Sequence, residues 1–129
     1  MSTSVKEFSV LVYSHRDSVI EQIRSAIGTH PAEDVSLEYY SATDYDDIVA
    51  ALDKYSIDLV IFDGEAQPMG GLGAVRQMRD ETERPPKSAV VVARDADQWL
   101  GAWSGADAVL THPLDPIGTA RRITDLLLS

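Results

Sequence analysis

A chain of 129 residues, 44% hydrophobic and 25% charged, is about one average domain and long enough to bury a core without staples. It has no cysteine, which excludes disulfides and thiolate metal sites. Eleven basic side chains against 21 acidic ones give a net charge of −10, so the chain lacks the cationic footprint that nucleic acid or an anionic membrane needs, and its charge is read as solubility.

The opening Met1-Ser2-Thr3-Ser4-Val5-Lys6-Glu7 is not a basic-then-apolar leader, and no apolar run approaches the roughly 18 residues of a membrane span. The expected location is the cytoplasm. Phe8 to Tyr13 is rich in β-formers and reads as a strand buried on both faces. Ser18 and Glu21 fit a capping box. Val19, Ile20, Ile23, Ala26 and Ile27 then recur at helical spacing, and Gly28 suits the stop. After a turn at His30-Pro31, Val35, Leu37 and Tyr39 alternate with polar neighbours, as in an edge strand. Thr43 or Asp44 caps a helix with apolar positions Tyr45, Ile48, Val49 and Leu52.

Ile57 to Phe62 is a buried strand ending at Asp63, followed by a Gly- and Pro-rich loop from Gly64 to Gly71. Leu72, Val75 and Met78 mark a third helix, closed by Pro85-Pro86. Ala89 to Ala93 is a strand, and Asp95 or Asp97 caps a short helix through Trp99, Leu100 and Trp103. Ala108 to Thr111 is a last strand. Asp115-Pro116 supplies a cap and a first-turn proline for a final helix marked by Ile117, Ala120, Ile123 and Leu127.

Five strands alternating with five helices predict a doubly wound α/β domain with a parallel sheet and helices on both faces. Residues 1–129 read as one domain, with no DNA-binding segment after the last helix. Sites in such sheets lie beyond the carboxyl ends of the strands. Those ends offer Ser14, His15 and Arg16, then Asp63, then Ala93, Arg94 and Asp95, then Thr111 and His112. Asp63 reads equally as a reactive carboxylate or as a cap for the next loop. There is no Gly-x-Gly-x-x-Gly after the first strand, no phosphate-binding Walker loop and no Gly-x-Ser-x-Gly elbow, so nucleotide binding by those routes and hydrolase chemistry are unsupported.

Three segments resemble the receiver domains of bacterial response regulators. They are Val10-Leu11-Val12, then Asp58 to Asp63 with Pro68-Met69-Gly70-Gly71-Leu72, and Gly105 to Pro116, which is similar to the family's Gly-Ala-x-x-Tyr-x-x-Lys-Pro-Phe segment. The resemblance implies a flavodoxin-like, five-stranded fold and a phosphoryl acceptor at Asp63, supplied by a histidine kinase in a phosphorelay. It also marks this chain as degenerate. Ser14 and His15 stand where the family has two acidic Mg²⁺ ligands, and Glu65 stands where a carbonyl reaches the metal. Ala93 replaces a Thr or Ser, His112 a Lys, and Val109 a switch aromatic. Binding of Mg²⁺ is expected to be weak or absent, with no other cofactor.

The preferred expectation is a stand-alone protein-binding module that needs no phosphorylation. Arg16 or Arg94 is the expected cationic partner of Asp63. Trp99, Trp103 and Val109 form the expected docking face, with one indole buried and the other free. The partner is another protein, and a homodimer is left open. Two alternatives stand beside this: metal-independent phosphoryl acceptance at Asp63 with His112 and Arg94 as cationic clamps, and ligand binding, either by His15, Asp63 and His112 as a two-His, one-carboxylate metal site or by a small cofactor such as flavin.

Overall fold

The computed structural model describes residues 5–65, 71–94 and 97–129. The elements run β1 (Lys6–Tyr13), α1 (Asp17–Ile27), β2 (Val35–Ala42), α2 (Tyr45–Lys54), β3 (Leu59–Asp63), α3 (Gly71–Glu81), β4 (Lys87–Val92), α4 (Gln98–Ser104), β5 (Ala108–Thr111) and α5 (Pro116–Leu128). One parallel sheet has the order β2-β1-β3-β4-β5. This is the flavodoxin-like, doubly wound order, whose switch point falls between β1 and β3. The Pro68-Met69-Gly70 part of the third loop and the Asp95 cap candidate lie outside the described residues.

Alternation along the strands sorts the core into two layers. Val10, Val12, Leu59, Ile61 and Val91 face α1 and α5, where Ile20, Ile23 and Ile123 meet them. Leu11, Tyr13, Val60, Phe62 and Val90 face the other way and pack on Ile48, Val75 and Met78. Both faces of the sheet are covered, which is why its strands read as apolar runs. No described helix is long and apolar enough to cross a membrane.

Local signals account for most boundaries. Gly28 takes φ 76° and its N–H donates to the Arg24 carbonyl, closing α1 in a conformation that favours glycine. Asp44 accepts from the Asp47 N–H, while the Asp47 carboxylate accepts from the Thr43 N–H and hydroxyl. Those bonds from Thr43 hold the Asp47 carboxyl below its usual range. Of the two cap candidates for α2, Asp44 is the cap, and Thr43, one residue earlier, donates to the Asp47 carboxylate. Asp115 caps α5 through the Gly118 N–H, with Pro116 in the first turn.

Three helix expectations are corrected. Ser18 does not cap α1, because the helix already begins at Asp17 with Arg16 as its N-terminal boundary and no side-chain cap. Val49 and Ile117 are exposed rather than core. Each lies on its helix's periodic stripe, but at a rim that no neighbouring element covers. Strand ends also shift by one or two residues: β3 includes Asp63, and β4 stops at Val92, before Ala93.

Candidate functional site

The register between β1 and β3 builds the site. Tyr13 is opposite Phe62, so Ser14, one residue on, comes beside Asp63. The Ser14 N–H continues the ladder to the Ala42 carbonyl at 3.1 Å. Both side chains are sealed: Ser14 is fully buried and Asp63 is 1% exposed.

Among the described residues, the short contacts of the Asp63 carboxylate come from donors or a cation. The Ser14 hydroxyl donates to Oδ2 at 2.7 Å, and the Glu65 N–H donates to Oδ1 at 2.9 Å. An Arg16 guanidinium nitrogen lies 3.7 Å from Oδ2. Ser14 Oγ in turn accepts from the Arg16 N–H at 3.1 Å, so one hydroxyl ties the carboxylate to the start of the following loop. The Tyr13 phenol is held above its ordinary value by burial first, then by the charges of Asp44 and Asp63.

Gly64 fixes where Asp63 ends the strand. Its N–H donates to the Val91 carbonyl at 2.8 Å, and a Cβ on it would sit 2.7 Å from that same oxygen. Gly64 opens the Gly- and Pro-rich loop, and a glycine directly after a strand-terminal Asp also signals a close backbone approach. Gly64→Ala should lower stability by about 1–3 kcal/mol, the usual cost of forced overpacking. A urea titration with an unshifted midpoint would show that the turn can move aside.

The other candidates divide into two places. His15, Arg16, Glu65, Ala93, Arg94 and Asp97 line a depression of about 600 Å³ at the strand ends. His112 lines a different groove with Gln22, Ser25, Ala26 and Pro113, and Ala93 forms the ridge between the two. The His112-Pro113 bond is cis. Among the described residues the His112 imidazole makes no hydrogen bond or ion pair. Arg94 is not a partner of Asp63: its guanidinium lies 3.4 Å from Asp97, three residues on, which is a shorter reach. Among the described residues, Arg16 is the cation that stands beside Asp63. His15, Asp63 and His112 do not converge, and among the described residues no three His, Asp or Glu side chains are spaced to hold a metal ion. The two-His, one-carboxylate reading is overturned, because the imidazole of His112 belongs to the groove beside α1.

The docking-face expectation also needs correction. Trp99 and Trp103 are 67% and 59% exposed; neither is buried. They share a side of α4, but Ser104 occupies the inward position. Arg76 of α3 lays its guanidinium 4.6 Å from the Trp103 ring centre and donates to the Trp103 carbonyl at 3.0 Å. Val109 is half-buried under this face, and Arg122 caps its carbonyl at 2.7 Å. Neither arginine contact was legible from spacing, since each joins two helices or a helix and a strand edge.

No protein-family model matches the chain. Among solved structures it is similar in fold to the receiver domain of the Francisella response regulator 1452 (TM-score 0.75, 17% identity, 93% of this chain and 96% of that one). It is similar also to the chemotaxis response regulator CheY4 of Vibrio cholerae (TM-score 0.76, 17% identity, 94% and 99%). Uncharacterized response regulatory proteins of two Mycobacterium tuberculosis strains are each 36% identical over 128 residues, covering 98% of this chain and 96% of theirs. With that identity along nearly the full length of both chains, and with a buried Asp at the carboxyl end of β3 in the receiver strand order, this chain belongs to the response regulator family as a receiver domain.

Proposed function

We propose that this receiver is an atypical one, a phosphorylation-independent protein-binding module of a two-component or phosphorelay pathway, acting in the cytoplasm. The observation that carries the reading is the Asp63 carboxylate itself. It is buried, Ser14 and Glu65 donate to its two oxygens, and a guanidinium stands beside it. A carboxylate that must attack phosphorus needs an accessible oxygen and an offset for the donor's charge. Here the oxygen is engaged and the offset is directed at Asp63.

The donor set does not fit Mg²⁺. That ion takes hard, mostly anionic oxygens in octahedral array. Ser14 is neutral and commits its proton to Asp63, His15 carries an imidazole that suits softer metals, and Arg16 places a positive charge 3.7 Å from Oδ2. Signalling then falls to the surface. Trp99 and Trp103 present two exposed indoles on one side of α4, and aromatics of this kind anchor protein interfaces.

Arg16 also supports a second reading, in which its cation lets Asp63 accept a phosphoryl group without metal. Intact mass after incubation with acetyl phosphate, with and without Mg²⁺ and with Asp63→Asn as control, separates them. No adduct is expected under either condition. An adduct that needs Asp63 but not Mg²⁺ would support the second reading, and one that needs both would show a working metal-dependent receiver.

A further inference from the structure

We propose that the open half of the β2 edge pairs with the same segment of a second copy of this chain, joining two sheets into one. β2 and β5 are the edges of the sheet, and an edge presents backbone donors and acceptors that another strand can use. β5 has four residues, and Arg122 takes its Val109 carbonyl. β2 has eight. Its even-numbered residues turn their backbone groups toward β1, as where the Ala42 carbonyl accepts from the Ser14 N–H. Its odd-numbered residues therefore turn theirs outward. Val35 donates to the Ala32 carbonyl at 3.1 Å and Leu37 to the Thr29 carbonyl at 2.8 Å, so the chain leaving α1 covers that half. Among the described residues nothing is bonded to the outward backbone groups of Tyr39 and Ser41.

These two residues are complementary to themselves, which is why the occupant is a second copy. A two-fold axis normal to the sheet beside Tyr40 sets the two segments antiparallel. Tyr39 of each copy then faces Ser41 of the other, and each such pair exchanges both of its N–H···O bonds. An axis centred on Tyr39 would instead call on Leu37, whose N–H the loop already holds. Tyr40 meets its own counterpart across the axis in a non-hydrogen-bonded pair, with Cα atoms about 4.5 Å apart. Both Tyr40 rings lie on the α2 side of the sheet, each backed by Tyr55 at 4.2 Å between ring centres, and form an aromatic cross-strand pair. Glu38 faces Ala42, so no like charges stand opposite each other. Because α4 packs beside β4 and β5, Trp99 and Trp103 stay open in the pair.

The bonds are few and each copy brings a charge of −10, so the pair is weak and strengthens with added salt. The chain has no cysteine, so one introduced thiol reports the position of the axis. In a glutathione redox buffer, the whole chain carrying Tyr40→Cys should form a disulfide dimer about tenfold faster than Glu38→Cys. The two copies of residue 38 lie about 14 Å apart along the strands, beyond disulfide reach. Adding Ser41→Pro removes an outward N–H and no bond to β1, and should slow the Tyr40→Cys dimer about tenfold. Adding Ser41→Ala, which keeps that N–H, should leave the rate unchanged. Equal rates for the two thiols, or a Tyr40→Cys rate indifferent to Ser41→Pro, would overturn the proposal. Tyr40 is half-buried, whereas Ser41 is exposed, so a second measurement leaves Tyr40 in place. Sedimentation equilibrium from about 10 µM to 1 mM should show a concentration-dependent dimer for the parent and for Ser41→Ala, weakened about tenfold in Ser41→Pro. Circular dichroism checks that each variant folds. A parent that stays monomeric throughout, or association that Ser41→Pro leaves intact, would also overturn the proposal. Acetyl phosphate is absent from both measurements, so their results are independent of how Asp63 behaves.

Discussion

Ser14→Asp is expected to destabilise the chain by about 3–5 kcal/mol at neutral pH, the range for an uncompensated buried charge. Ser14 is fully buried and its hydroxyl oxygen lies 2.7 Å from Asp63 Oδ2. The variant replaces a donor with a second anion at that distance. Arg16 can answer only part of the added charge, since its side chain is 51% exposed and one guanidinium faces two carboxylates.

The pH dependence gives the sign. Two carboxyl groups sharing a buried site raise the folded-state pKa of the pair above the unfolded value near 4. The penalty is therefore full above the raised folded value and shrinks as pH falls through it, because one proton removes the repulsion. Mg²⁺ supplies a second route to relief. The variant's paired carboxylates are a hard-oxygen donor set, so millimolar Mg²⁺ should shift its urea midpoint upward while leaving the parent's unmoved. A variant as stable as the parent and indifferent to Mg²⁺ would refute the account of Oδ2.

The frame of this site was legible in sequence, and its polarity was not. Alternation of apolar runs and helical stripes placed Asp63, Ser14 and His112 at carboxyl ends of strands, because chain order and the crossover rule leave few other arrangements. Gly28 and Asp115-Pro116 announced their helix ends by conformational needs local to a few residues. What Ser14 does depends on a β1–β3 register that no single strand encodes, so it reads as a missing acid and not as a present donor. Arg16 and Arg94 both follow strand ends and were equal candidates as partners of Asp63; the side-chain geometry that pairs Arg94 with Asp97 decides between them. The two indoles share a face by spacing alone, but seven residues of α4 are too few for a stripe to show which side turns inward.

Asp63→Ala should lower stability by about 2–4 kcal/mol, and the sign of this change discriminates between two kinds of receiver site. Where several carboxylates crowd a metal position, removing one relieves repulsion and stabilises the fold, as expected when a site is held under strain for function. Around this Asp63 the short contacts among the described residues are two hydrogen-bond donors and one guanidinium. Removing the carboxylate strands the buried Ser14 hydroxyl, at about 1–3 kcal/mol, and deprives the Glu65 N–H, which can turn to water, of a charged acceptor. Arg16, half-exposed, recovers water and adds little.

Asp63→Asn should fall between Ala and the parent. One amide oxygen can still accept from the Glu65 N–H, but the amide nitrogen now faces Ser14 and Arg16 as a donor. The Ser14 hydroxyl can rotate to accept from it, whereas the guanidinium cannot. Urea midpoints at constant slope read all three proteins. The order parent, Asn, Ala from most to least stable is the signature of a carboxylate that its surroundings hold in place. The reverse order would mean that Asp63 is kept poised against its neighbours, and that a cation missing from this arrangement belongs in the site.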